Sequence, residues 1–124
     1  MRSDFLANLT SEERQAIFKA AREERERTIQ DAIKNGATVQ YMTSRLSLDE
    51  QETYISMDNE GNCIIDTSIQ SDINRCIKRG WKIIHVTYYK DSNQVASMIF
   101  KGKSCDISIR STKEWSRIDF KLRN

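Results

Sequence analysis

The sequence predicts an α+β domain: a long N-terminal helix, an antiparallel β-sheet of about 6–7 strands and a second helix near residues 68–79. Three observations lead there. A helix-capping signal at Thr10 opens a run of helix formers that stops at Gly36. Alternating apolar and polar residues then recur down to Leu122. One short apolar stripe of helical period interrupts them, at Ile69, Ile73, Cys76 and Ile77.

The first helix starts at Thr10-Ser11-Glu12-Glu13, a capping box in which the Thr10 hydroxyl accepts the Glu13 N–H and the Glu13 carboxylate reaches back. Lys34-Asn35-Gly36 stops it, with a cation in the last turn and residues that tolerate the left-handed conformation. Its apolar residues form two clusters, Ala16/Ile17/Ala20/Ala21 and Ile29/Ala32/Ile33. Between them Arg22-Glu23-Glu24-Arg25-Glu26-Arg27 reads as a solvated face, with opposite charges at i,i+4 in Arg22/Glu26 and Glu23/Arg27.

Thr38–Thr43 is rich in strand formers. Residues 53–57 and 63–67 flank Asp58-Asn59-Glu60-Gly61-Asn62 and predict a hairpin rather than a calcium loop, which would need flanking helices. Asp66, Thr67 and Ser68 are candidate caps for the second helix, which Lys78-Arg79-Gly80 ends. The Gly80-Trp81 junction resembles the helix-to-strand junction of small bacterial β-α-β-β domains over about residues 67–110. It implies no activity. Strands follow at 81–89 and 94–100, with a turn at Lys101-Gly102-Lys103. Cys105, Ile107 and Ile109 then alternate with polar residues as a half-buried strand, and Ile118, Phe120 and Leu122 mark a last one.

At 124 residues the chain fits one domain, 1–124, with a helical segment over 1–36. Charged residues make up 31% and mean hydropathy is −0.67, polar for a globular domain but compatible with one core. No apolar run approaches the roughly 20 residues of a membrane span, and the first residues lack the apolar stretch of a signal peptide. Cys63, Cys76 and Cys105 are odd in number and widely spaced. This spacing predicts neither a disulfide framework nor a zinc site, and a cytoplasmic location.

The charge is segregated. Residues 1–74 carry eight Lys/Arg against fourteen Asp/Glu, and residues 75–124 carry twelve against four. Between Arg45 and Arg75 acids occur with no basic residue, and Asp49, Glu50, Glu52, Asp58 and Glu60 are the candidate partner-binding residues. In the basic half, Lys82, Lys90, Lys101, Lys103, Arg110 and Lys113 are the candidate nucleic-acid contacts. Trp81, Tyr88, Tyr89, Phe100 and Trp115 lie among them as possible stacking partners.

No catalytic, cofactor or metal motif appears: there is no phosphate-binding glycine loop, no nucleophile elbow and no paired-histidine zinc motif. His85, the only histidine, is expected on one strand face with Ile83 and Thr87, without a local catalytic partner. Cys76 and Cys105 read as small core residues. The expected function is therefore a small non-enzymatic regulator, adaptor or inhibitor that occupies a protein partner's surface, of the kind phages or plasmids carry. A nucleic-acid-binding accessory protein is the alternative, and a small enzyme with a dispersed site ranks last. A homodimer through the apolar clusters of the first helix is also open to the chain.

Overall fold

The computed structural model describes residues 8–111 and 118–122. Helix α1 spans Ser11–Lys34 and begins as expected: Glu13 N donates to Thr10 Oγ1 at 3.1 Å, and Thr10 N donates to Glu13 Oε1 at 3.2 Å. Strands β1 (Thr38–Met42), β2 (Thr53–Met57) and β3 (Asn62–Thr67) follow, then α2 (Gln70–Lys78), β4 (Lys82–Tyr89), β5 (Val95–Lys103), β6 (Ile107–Ser111) and β7 (Ile118–Leu122). The chain is thus α+β, with two helices and seven strands among the described residues.

The strands do not form one antiparallel sheet. Five make a mixed sheet ordered β1-β4-β5-β3-β2, and β6 and β7 form a separate antiparallel pair. The exception to the antiparallel pattern is β1, which runs parallel to β4, with Thr38 opposite His85. Both helices cover one face. α1 packs on β4, and α2 packs on β3 and β5. Ile29 of α1, Ile73 and Cys76 of α2, and Cys63, Ile65, Val86, Met98 and Phe100 of the sheet are fully closed to solvent. Burying such side chains is the main stabilising term, about 1.5–3 kcal/mol each.

The β6–β7 pair joins this core through Ile107 and Phe120. Arg75 of α2 holds it there, donating to the Phe120 carbonyl at 2.7 Å and lying over the Phe120 ring at 4.1 Å. The same guanidinium donates to Asp72 Oδ1 at 2.7 Å, while Thr53 Oγ1 donates to Asp72 Oδ2 at 2.7 Å. Asp72 therefore ties hairpin, helix and β-pair together and is not free for a partner.

Several local expectations are corrected. Lys101-Gly102-Lys103 is no turn but the end of β5. A Cβ on Gly102 would come within 2.6 Å of the Trp81 ring, so the glycine is there to let that indole lie flat on the strand. Cys105 sits exposed in a 3-10 turn, Ser104–Asp106, ahead of β6. The cap of α2 is Ile69, not Asp66, Thr67 or Ser68; Asp66 and Thr67 belong to β3, and Thr67 Oγ1 accepts the Ile69 N–H at 3.1 Å. A bulge between Ile83 and His85 turns the two to opposite faces. His85 shares its face with Thr87 but not with Ile83.

Candidate binding surfaces

The acidic residues gather along one edge of the sheet. β2 is an edge strand and pairs only with β3. Ser68 N donates to the Glu52 carbonyl and Asp58 N to the Asn62 carbonyl, both at 3.0 Å. In an antiparallel ladder the inward-bonded residues alternate, so Glu52, Tyr54, Ser56 and Asp58 turn their backbone groups to β3. Thr53, Ile55 and Met57 turn theirs to the open edge. Asp49, Glu50 and Glu52 lie exposed at one end of this edge, and Asp58 and Glu60 at the other. Leu48, Tyr54 and Met57 stand exposed among them, at 85%, 59% and 46%.

Three of these acids also work locally. Asp58 accepts from Glu60 N at 2.8 Å and Asn62 N at 2.9 Å. The Asn62 hydrogen bonds hold its carboxyl below the usual range. Glu50 accepts from Ser47 N at 3.1 Å, which lowers its pKa likewise. Glu52 accepts the Tyr54 phenol proton and raises that group's pKa. Glu52 is thus committed to Tyr54, whereas the Asp49 and Glu60 carboxylates take no such bond among the described residues.

The basic candidates divide. Lys101 lies directly opposite Lys82 across β4 and β5, and Lys103 follows two residues on, so three exposed ammonium groups share one corner of the open face. Lys90 lies beyond the far end of β4, remote from them. Arg110 is placed on β6 by its backbone, its side chain is outside the described ones, and Lys113 lies outside the described residues. The aromatic residues do not interleave with these lysines on the surface. Trp81, Tyr88, Tyr89 and Phe100 are all buried, and Trp115 lies outside the described residues.

His85 is held between two threonines, with Nδ1 2.5 Å from Thr38 Oγ1 and Nε2 3.1 Å from Thr87 Oγ1. Ile99 separates it from Asp66 across the sheet. Cys63 and Cys76 are buried, and burial pushes both thiols up, Cys76 to about 12, so neither is a ready nucleophile. No group of three or more His, Cys, Asp or Glu able to hold a metal occurs among the described residues. No helix among them is long and apolar enough to cross a membrane. On α1, Ile29 is buried in the core, whereas Ile17 and Phe18 stay exposed at 39% and 54%.

One surface is not anticipated by the sequence. The charged block of α1 does not simply face solvent: Arg22, Arg25 and Arg27 line a cleft of about 860 Å³, with Arg45 from the loop after β1. Leu46, Tyr89 and Val95 contribute apolar surface to it. Arg25 Nη1 donates to Asn74 Oδ1 at 2.7 Å and Nη2 to Gln70 Oε1 at 2.9 Å. Partial burial lowers its pKa, against the pull of Glu26 and Tyr88. Arg45 lies over the Tyr89 ring at 4.7 Å and pairs with Asp91 at 3.2 Å. The i,i+4 pairs expected from Arg22 and Arg27 are absent among the described residues, and Glu23 instead reaches Lys19 at 3.9 Å.

Compared with family models, with curated proteins and with solved structures, the chain matches none.

Proposed function

We propose that the protein is a non-enzymatic binding module that captures an extended, basic segment of a protein partner along the β2 edge. The observation that carries this is the edge itself: outward backbone groups at Thr53, Ile55 and Met57, exposed apolar side chains beside them, and carboxylates at both ends. Added strands gain main-chain hydrogen bonds from such an edge, and alternate side chains supply specificity. Edge strands in proteins that avoid association are blunted by lysine or proline. β2, Thr-Tyr-Ile-Ser-Met, has neither. A module of this kind acts as a regulator or inhibitor by occupying what its partner needs.

The test is a peptide titration followed by amide NMR. A peptide of alternating valine and threonine with lysines at both ends should shift the Thr53–Met57 amides, and its glutamate-ended counterpart should not. Tyr54→Lys and the triple variant Asp49→Lys/Glu52→Lys/Glu60→Lys should each weaken binding about tenfold or more, as expected for losing a contact residue or the charge complement. Equal binding of both peptides, or indifference to these variants, removes the reading.

The lysine corner favours a second reading, contact with a nucleic-acid backbone. Like charges directly opposite on a sheet are unfavourable, so Lys82 and Lys101 are better off near phosphate. Three contacts imply a log K against log salt slope of about −2 to −3. Lys101→Glu/Lys103→Glu should abolish that slope in fluorescence anisotropy; no binding at low salt ends the reading.

A further inference from the structure

The central sheet has a second open edge. Among the described residues β1 pairs only with β4. Lys90 N donates to the Met42 carbonyl at 2.9 Å, so Met42 bonds inward. Gln40 and Thr38, at alternate positions and in register with Thr87 and His85, bond inward as well. Val39 and Tyr41 therefore turn their N–H and C=O groups to the open edge. Their side chains lie on the helix-covered face. The Tyr41 ring stacks on Tyr88 at 5.8 Å, and Gln30 of α1 donates to the Tyr88 hydroxyl at 3.4 Å. α1 packs on β4, however, and beyond it Val39 and Tyr41 stay 38% and 56% exposed. Thr-Val-Gln-Tyr-Met holds no lysine or proline that would blunt the edge.

Two outward-bonding residues on either side of Gln40 make this edge complementary to itself. A second copy laid antiparallel, Gln40 against Gln40, sets Val39 of each copy opposite Tyr41 of the other. Each such pair exchanges both of its backbone hydrogen bonds. A β-branched residue against an aromatic ring is a favourable cross-strand pair. The facing Gln40 amides can each donate and accept. Charge selects a second copy over other occupants. Residues 35–44 carry no charged side chain, so two copies meet here without repulsion, and a basic segment finds no acid. β2 laid on itself about Ile55 would instead set Glu52 against Asp58 and Glu50 against Glu60, like charges directly opposite. β2 laid on β1 would leave those acids without a base, and a head-to-tail contact of that kind does not close. We propose that two copies of the chain join by antiparallel pairing of their β1 edges, fusing two five-stranded sheets into one. The contact goes beyond strand capture and does not depend on it, because it leaves the β2 edge open for foreign segments.

The test combines sedimentation equilibrium of the whole chain, from about 10 μM to 1 mM, with amide hydrogen exchange over the same range. A monomer–dimer equilibrium is expected, with Kd below about 1 mM. The Val39 and Tyr41 amides should exchange more slowly as concentration rises, while Gln40, already bonded to β4, stays slow throughout. Val39→Lys/Tyr41→Lys and Val39→Glu/Tyr41→Glu each place like charges across the seam and should weaken the dimer about tenfold or more. Mixed one to one, the two variants should pair again, which separates loss of the contact from loss of the fold. A chain that stays monomeric at about 1 mM overturns the proposal, as does a dimer that the lysine variant leaves intact. A dimer that protects the Thr53, Ile55 and Met57 amides instead overturns it in favour of the β2 edge. One broken by Phe18→Glu but not by the β1 variants overturns it in favour of the exposed end of α1.

Discussion

On the helix-covered face of the central sheet, Cys63, Ile65, Val86, Met98 and Phe100 are closed to solvent; on the opposite face their strand neighbours Ile64, Asp66, His85, Ser97 and Ile99 are only half-buried. Both sets ride on the same hydrogen-bonded ladder. The first set meets Ile29, Ile73 and Cys76 from the two helices; both helices lie on the side away from the second, where Thr87 beside His85 is the buried exception. The contrast separates two tasks. Stability is concentrated on one side, in apolar contacts that cannot be exchanged cheaply. The other side, with the β2 edge and the lysine corner, is free to carry charge because little of the fold depends on it.

A pair of truncations on adjacent residues of β5 should separate the two faces most strongly. Phe100→Ala removes a fully buried ring and should cost about 3–5 kcal/mol. Ile99→Ala, one residue away on the other face, should cost about 1 kcal/mol or less, because the side chain is already partly in water. Urea denaturation midpoints measure both. Equal losses would mean that something covers the open face in solution.

Gly102→Ala comes next. The new methyl would sit 2.6–2.8 Å from three atoms of the Trp81 ring, and the indole, itself 8% exposed, must move. Overpacking of this kind costs about 1–3 kcal/mol. In a Trp81→Ala background the same substitution should cost far less, so a double-mutant cycle isolates the contact. Additive losses would show that the glycine serves its backbone and not the indole.

That pair also marks where the sequence stops being legible. Gly102 between two lysines reads locally as a turn; only Trp81, arriving from twenty-one residues earlier, makes it a strand position. Local signals succeeded where the deciding atoms are local: the Thr10–Glu13 box, the Asp58 hairpin, the stop at Gly80 with its φ of +75°. They failed where a distant segment decides. The parallel pairing of β1 with β4 joins Thr38 to His85, and no residue near either announces it. The alternation through Cys105 ran past a 3-10 turn that breaks the strand, and the bulge at Ile83/His85 shifted the expected face of the histidine. Among the surfaces, the acidic edge was legible because its residues flank β2 within twelve consecutive positions, Asp49 to Glu60. The cleft was not, because Arg22–Arg27 becomes concave only when Leu46 and Val95 rise beside it.

Smaller effects belong to the open face. Burial raises the Asp66 carboxyl above its ordinary value of 3.8, with Glu52 adding to the rise and His85 opposing it. The folded chain then binds this proton more tightly than the unfolded chain, so stability falls as pH rises through the window from 3.8 up to the raised value. Asp66→Asn removes that dependence. The variant should match the parent at pH below this window and exceed it at neutral pH by about 0.5 kcal/mol or less, given the group's partial exposure. A loss at neutral pH would mean that the carboxylate makes a favourable contact across this face.

The smallest expected effect is a gain. Lys82 and Lys101 face each other across β4 and β5, while the Asp58 carboxylate of the hairpin attracts Lys101 and keeps the gain small. Lys101→Gln should stabilise the chain by about 0.2–0.5 kcal/mol at low salt, and the gain should shrink as salt screens the repulsion. The same change on the covered face, a polar amide for a core residue, could only destabilise. If Lys101→Gln is neutral at every salt concentration, the two ammonium groups already splay apart into water. The corner then lacks the crowded charge on which the nucleic-acid reading rests, leaving the acid-flanked β2 edge as the sheet's remaining candidate for recognition.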